Sequence, residues 1–585
     1  MMTYDLLFDF PVESKSEYKF INSSTELEFK LSSYLTADEI GLDIETTGLD
    51  PYKDQIRLLQ LSSRDAPNLL IDAYAINNWI DLLKPLFKSS AIKIIHNAKF
   101  ELKFFYHLGI DIKGVIFDTM LASQLLAAGH QLKHKLSDLV ERYLFIEMDK
   151  SEQKSDWNQL ELRPSQLAYA SNDVEYLIPL YDKLRLELRH NKMRKVAKLE
   201  FDTVHAVAQM ELAGFGLDRQ RLDQYLNQLA VEHQKLEAEI INKLGPINVN
   251  SPKQLKEALF KVGIILGGTN REVLNQHAEL PVIFNILEYR KIEQLKSTYG
   301  EKLISSLHPI TGRLHSDYFQ LGTNTGRMSC REPNIQSIVN GELRNCFRPE
   351  PGYKLIVVDY SQIELRVLAG MAQDFKMIEA LNQGIDLHKL TASIVTQKAM
   401  DEVSKDEREI AKTLNFGLVY GAGIDNLAKH LQQKGLMVNR SEMEEFKQRF
   451  LKRFIGVALY IRRATKGRKY EIRTLSGRRK EFPPDKFGHR KSASYTEKLN
   501  TPIQGSAADI AKLGLYKVSQ VLKGTKGKLV AFIHDEVVVE IPTEQAEELL
   551  PQIEQALKEA GQYYLPNVEI SLSANICDSW MEKSA

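Results

Sequence analysis

Cysteine is scarce in this chain: three in 585 residues, Cys330, Cys346 and Cys577, far apart in sequence. That excludes a disulfide framework and any cysteine-rich zinc or iron–sulfur centre, and it fits a reducing compartment. Long apolar runs are missing too. No stretch reaches the roughly 18–20 apolar residues of a membrane span. The start, MMTYDLLFDFPVES, carries acids where a secretory leader would be basic. The expectation is a soluble, cytoplasmic protein with no membrane partner. Neither charge is in excess, with 77 Lys+Arg against 77 Asp+Glu. That argues against a uniformly basic nucleic-acid coat, although a polarised one remains open. No fixed-period repeat or low-complexity tract occurs. What is left is ordinary globular composition, 43% hydrophobic and 26% charged. At roughly 100–200 residues each, the length suits about three to five domains or subdomains.

The first third alternates strands with helices, the pattern of an α/β domain. Strands are expected at Ile40–Thr46, Ile56–Leu61 and Ala91–Ile95, and one long helix from about Pro164 to Arg189. From about Met193 to Leu307 the pattern is helical and charged, broken at Gly245-Pro246 and between Asn248 and Pro252. The last half mixes short strands with helices. Charge is concentrated between Phe446 and Lys491, where sixteen Lys/Arg face three acids with aromatics interleaved. Such a field suits a phosphate backbone, and a solvated basic face fits it equally well.

Asp43 and Glu45 lie two apart in GLDIETTGLD, so on a strand they share a face. Two carboxylates forced together repel, and a cation between them relieves the repulsion. Tyr169 and Asp173, four apart in YASND, share a helix face. Between these pairs lies HNAKFELKFF with Glu101. Solvated acids at a strand end would give the same spacing.

Further on, Leu355–Val358 reads as an apolar strand with Asp359 at its end. LVAFIHDEVVVEI reads as a hairpin with His534, Asp535 and Glu536 at its tip. Strand-end acids this far apart in sequence meet when their strands pair, and together they form an oxygen-only site for hard divalent cations. In SKDEREIAKTLNFGLVYG, Ser404 and Glu407 form a capping box. Arg408, Lys412, Phe416 and Tyr420 then recur every four residues along one stripe. Cations can hold phosphates and aromatics can stack on a base.

Taken together, these motifs resemble the family A DNA polymerases, the group of bacterial DNA polymerase I. They stand in the family's order: Asp359 to Arg366, Arg408 to Tyr420, then His534-Asp535-Glu536. GTNTGRMSC, FRPEPGYK, GIDLH, TPIQGSAADI and INVNSPKQL match as well. The earlier motifs resemble the 3′→5′ exonucleases that use four acidic metal ligands and a tyrosine. The resemblance covers about residue 30 to the end, in a layout without the family's separate 5′-nuclease domain.

This resemblance implies an α/β, ribonuclease-H-like exonuclease domain at 1–192, followed by an α+β right-hand polymerase at 193–585. Its thumb would span 193–310, its palm 311–380 and 492–585, and its fingers 381–491. It also implies DNA-templated addition of dNTPs to a primer 3′ end, with two Mg²⁺ per active site (Mn²⁺ can substitute). Asp359 and Asp535 would hold the metals with help from the Tyr360 carbonyl, and Glu536 would sit near. Arg408 and Lys412 would grip the triphosphate, with Lys412 also serving as general acid. Gln362 and His388 would help hold the nucleotide, Phe416 would stack by it, Tyr420 would guard the template base, and Glu364 would exclude a 2′-hydroxyl. Arg327, Asn500, Gln504 and His534 would track the minor groove, where acceptors vary little with base pair.

In the exonuclease, Asp43, Glu45, Glu101 and Asp173 would be the metal ligands, with Tyr169 orienting the water. Glu101 stands where the family has Asp, so the alternative is a weak or inactive exonuclease. Glu497-Lys498 stands where Glu-Arg is common, so a template phosphate contact there would be either lost or moved to Lys498. Met328 and Cys330 are lesser departures. The expected partners are primer–template DNA and dNTPs, the expected state a monomer, and the expected setting the cytoplasm of a bacterial or phage-infected cell, with an organellar origin left open.

Overall fold

The computed structural model describes residues 17–433, 436, 438–484 and 486–581, with backbone alone for 418–420 and 433. Six strands open the chain: β1 Tyr18–Ile21, β2 Glu39–Thr46, β3 Ile56–Ser62, β4 Asn68–Asp72, β5 Ile92–Ile95 and β6 Ile116–Asp118. They form one mixed sheet in the order β1-β4-β3-β2-β5-β6. β3 lies antiparallel to both β2 and β4, while β2, β5 and β6 run parallel. Every residue of β3 is buried, including Arg57. That cation is tolerated because it pairs with Asp72 and donates to the carbonyls of Gln159 and Leu160.

The sequence pattern missed β1, β4 and β6, which are three to five residues long. Segments this short carry no readable alternation. The expected helix Pro164–Arg189 is two helices, Pro164–Glu175 and Leu177–His190, meeting at Tyr176. Pro179 explains the break. It has no N–H to donate to Glu175, so the helix restarts and places the proline in its first turn.

A second sheet forms the other core. Its antiparallel order is Lys528–Ile533, Glu536–Pro542, Tyr353–Tyr360, Leu572–Cys577. The apolar residues of these strands pack against the long helix Tyr495–Val521 in one continuous core. The Arg219–Leu244 and Pro281–Tyr299 helices enclose a smaller core of their own, built on Ile240, Leu255, Ile283 and Ile286. No helix among the described residues is long and apolar enough to cross a membrane.

The Arg194–Ala213 helix joins the two cores. Its Val196, Ala197, Phe201, Val204 and Ala208 belong to the first core, and its Ala206, Val207 and Met210 to the second. Its Glu200 is fully buried at the centre of an ionic network. Lys512 donates to Glu200 at 2.7 Å, Gln320 donates to it at 2.5 Å, and Arg478 pairs with both Glu200 and Asp509. Burial alone would raise the Glu200 carboxyl, but Lys512 and Arg478 outweigh it and hold the group below its usual range. Burial pushes the Lys512 ammonium down to about 8.

Candidate active sites

Two carboxylate clusters stand out, one in each core. In the first, β2 presents Asp43 and Glu45, the Lys99–His107 helix carries Glu101 in its first turn, and the Pro164–Glu175 helix carries Tyr169 and Asp173. Oxygens of Asp43, Glu45 and Asp173 lie within 4.8 Å of one another. Glu101 is 3% exposed and shares a hydrogen bond with Asp43, while its Oε2 is buried with no hydrogen-bond partner among the described residues. Burial, followed by mutual repulsion, pushes Glu45, Glu101 and Asp173 well above the carboxylate range. Burial pushes Asp43 to about 7. Burial and the neighbouring acids likewise raise the Tyr169 phenol, which donates to Asp173.

An orphaned buried oxygen beside three converging carboxylates suits a hard divalent cation, so the residues present fit such an ion. The longer Glu101 reaches the cluster instead of withdrawing from it. Asp118 is a member that the sequence pattern did not reveal. Fully buried, it accepts from the backbone N–H groups of Asn97, Ala98 and Leu121 at 3.3, 2.8 and 3.0 Å, fixing the start of the Glu101 helix. Its signal was available: it is an Asp directly before a helix, the N-cap preference.

In the second cluster, strand register places Asp359 directly opposite Glu536, and cross-strand partners share a face. A two-residue turn, His534-Asp535, joins Ile533 to Glu536, with His534 in the left-handed region at φ +60°. Burial, and then Asp359, push the Asp535 carboxyl up to about 7. This raised acid beside a second carboxylate is a donor set that fits a divalent cation. Glu536 is held elsewhere, because Trp580 Nε1 donates to it at 2.6 Å. The Arg344 guanidinium lies 3.9 Å from the Trp580 ring. The sequence carried no signal for this tryptophan. Tyr360 points inward and donates to the Leu557 carbonyl at 2.8 Å, which leaves its backbone carbonyl as its one route to a metal.

The Lys405–Tyr420 helix begins with the expected capping box. Glu407 N donates to Ser404 Oγ at 3.1 Å, and Ser404 N donates to Glu407 Oε2 at 2.9 Å. Arg408 donates to Asp386 at 2.8 Å, and Lys412 lies 3.7 Å from Glu409. Asp386 caps the Leu387–Thr396 helix, a role the sequence pattern did not reveal. His388 is 3% exposed. It accepts from Asn415 Nδ2 at 3.0 Å and lies 5.6 Å from the Phe416 ring. Burial lowers its imidazole to about 4, so it stays neutral at pH 7. The Tyr420 side chain lies outside the described residues.

Gln362 takes a left-handed backbone at φ +56°, ending the Tyr353–Tyr360 strand and starting the Ile363–Ala372 helix. Glu364, in that helix's first turn, pairs with Arg327 at 2.5 Å, so two residues expected to play separate roles touch each other. Asn500 and Gln504 share the Tyr495–Val521 helix, and Asn500 Oδ1 is buried with no partner among the described residues. His534 is exposed at its turn. Lys498 donates to the Gly467 carbonyl at 2.7 Å, so its ammonium is engaged by the protein itself.

Comparison with known proteins assigns both parts of the chain to families. The profile described as "DNA polymerase family A" matches residues 219–582, and that described as "3′-5′ exonuclease" matches 18–189. DNA polymerase I of Aquifex aeolicus is 33% identical, covering 96% of this chain and 99% of its own length. DNA polymerase I of Chloroflexus aurantiacus is 30% identical over 96% of this chain and 63% of its own length. A solved structure, the POL domain of Pol1 from M. smegmatis in complex with DNA primer-template and dNTP, aligns with a TM-score of 0.81 at 27% identity. That alignment covers 97% of this chain and 100% of that one. An Asp359/Glu536 strand pair, a capped cationic-aromatic helix and a separate four-acid cluster thus occur in a chain that belongs to the family A DNA polymerases and carries a 3′-5′ exonuclease domain.

Proposed function

We propose that this polymerase extends a primer 3′ end on a DNA template with dNTPs, and that its exonuclease domain removes mispaired ends. The observation that carries the polymerase reading is the register of Asp359 against Glu536, with the raised Asp535 in the adjoining turn. Asp359 and Asp535, with the Tyr360 carbonyl, would hold two Mg²⁺ or Mn²⁺. When bound, these ions neutralise charge on the transferring phosphoryl group and lower the pKa of the attacking hydroxyl. Arg408 and Lys412 would bind the triphosphate, and Lys412 would give a proton to the leaving pyrophosphate. His388, kept neutral, steadies the helix through Asn415. Phe416 would lie by the incoming sugar and base, Gln362 would assist, and Tyr420 would guard the template position. Glu364 would exclude a 2′-hydroxyl while holding Arg327. Arg327, Asn500, Gln504 and His534 would follow the minor groove, and the orphaned Asn500 oxygen supports that placement. Trp580 holds Glu536 to one side, which suits a supporting role.

In the exonuclease, Asp43, Glu45, Glu101 and Asp173 would hold the ions, and Tyr169 would orient a water. The orphaned Glu101 Oε2 favours a competent site over the weak or inactive alternative. We divide the chain at 1–192 for the exonuclease and 193–585 for the polymerase, with thumb 193–310, palm 311–380 and 492–585, and fingers 381–491. The bacterial relatives support a cytoplasmic setting.

A time course on a labelled primer–template with Mg²⁺ tests both activities. Extension with dNTPs and shortening without them is the expected result. Asp535→Ala should abolish extension while duplex binding survives, and persistent extension would overturn the metal assignment.

A further inference from the structure

Strand β3, with the sequence IRLLQLS, carries three polar side chains, and two of them are accounted for. Arg57 pairs with Asp72. Ser62 Oγ donates to the Val174 carbonyl at 2.8 Å. Gln60 is the exception. It is fully buried, and neither its Nε2 nor its Oε1 has a hydrogen-bond partner among the described residues. A primary amide offers two N–H donors and an acceptor, so burying all of it unpaired costs stability. A native fold that carries this cost calls for a reason.

The place of Gln60 supplies one. Strand register sets it directly opposite Asp43, and such cross-strand partners share a face, with β-carbons about 4.5–5.5 Å apart. Leu58, Gln60 and Ser62 alternate onto one side of β3. Leu58 shares an apolar cluster with Ala170, and Ser62 reaches Val174. Gln60 therefore faces the turn of the Pro164–Glu175 helix between those two residues, and that turn carries Asp173. Its partner on β4 is Leu70, which offers nothing polar. The amide is thus bracketed by two acids of the exonuclease cluster.

A carboxylate that gives one oxygen to a cation keeps lone pairs on the other. A donor on that second oxygen fixes the orientation of the ligand. An amide suits this place because it supplies an N–H without charge. A lysine there would compete with the cation, and a further acid would add repulsion.

We propose that Gln60 is a positioning residue of the exonuclease centre, whose Nε2 donates to the Asp43 carboxylate when that group engages a divalent cation and holds it in the ligating orientation. The inference rests on the metal-site reading of the exonuclease domain and adds a residue that its motifs do not contain.

The test counts Mn²⁺ bound to the full-length protein by electron paramagnetic resonance. Asp535→Ala is present throughout, so that the polymerase acids do not compete. A site that Asp173→Asn removes belongs to the exonuclease cluster. If no such site exists with Gln60 intact, the metal reading of the cluster falls, and the inference with it. Gln60→Met keeps the length of the side chain and removes its hydrogen-bonding groups. It should weaken Mn²⁺ at that site by about 10–100-fold. In EDTA at about pH 5.5 the same variant should raise Tm by at least about 2 °C, because no amide is left buried and unpaired. The opposite signs are diagnostic, since a residue that only supports the fold would lose on both counts. Ser62→Ala, on the same face, should do the reverse: a lower Tm and Mn²⁺ affinity unchanged within about 2-fold. Undiminished Mn²⁺ affinity in Gln60→Met overturns the proposal. So does a Gln60→Met protein that melts earlier than the parent or fails to fold.

Discussion

Replacing Arg478 by Met should destabilise the junction between the two cores by about 3 kcal/mol. Its guanidinium pairs with Glu200 and Asp509, whose side chains expose no surface. Deleting one partner of a buried ion pair typically costs about 3–5 kcal/mol, because a charge is stranded in a medium that solvates it poorly. The lower end applies here. Lys512 still donates to Glu200 at 2.7 Å, and Thr474 and Ser476 still donate to Asp509 at 2.7 and 2.6 Å. In a cooperative unit of about 150–250 residues, each kcal/mol moves Tm by about 2–4 °C, which gives a fall of roughly 6–12 °C. A chain of this size need not unfold in one step, so differential scanning calorimetry should resolve which transition moves. Adding Asp509→Asn to the Arg478→Met protein removes a stranded charge and should restore part of the loss. A fall of less than about 2 °C, or a further loss on adding Asp509→Asn, would show that the network is not what holds the junction.

Three further outcomes are expected. The raised acids of the exonuclease cluster, with Asp43 at about 7, make the metal-free fold most stable when they are protonated, so its stability should fall as pH rises from about 4 through 7. Thermal melts in EDTA and in Mn²⁺ should therefore diverge more at pH 8 than at pH 5.5, and a constant gap would contradict the cluster's role. Glu101→Gln should cut exonuclease turnover by roughly 100-fold or more, whereas Glu101→Asp should retain it within about tenfold; equal losses would mean that the carboxylate is not a ligand. Glu364→Ala should lower discrimination against ribonucleotides by roughly 10–100-fold in kcat/KM, and an unchanged ratio would remove the steric role.

Much of both sites was legible because chemistry and local pattern coincide in them. Asp359 follows an apolar run, Asp535 sits at a hairpin tip, and Ser404 and Glu407 announce a helix start; each is a short-range signal that packing then preserved. Residues that work through distant partners were not legible. Trp580 reaches Glu536 across 44 positions of sequence. The pairing of Arg327 with Glu364 depends on how a loop folds over a helix. The basic stretch looked uniform as a string of letters. That Arg478 is engaged inside the protein became visible once Glu200 and Asp509, which lie outside the stretch, were brought alongside it. The break within Pro164–Arg189 was missed because a proline in a helix's first turn and one in its interior look alike until the boundary is known.

The Arg194–Ala213 helix makes the two halves poor modules. Cutting the chain ahead of it would strip cover from Val196, Ala197, Phe201, Val204 and Ala208, and would leave that apolar stripe facing water on the remaining fragment. Cutting behind it would open the polymerase core at Ala206, Val207 and Met210 and carry Glu200 away from Lys512 and Arg478. Either fragment would emerge with a sticky edge. A shortened version of this enzyme would therefore need its new surface redesigned before it stayed in solution, and loss of one activity by gradual decay of side chains is an easier path than loss of a whole domain.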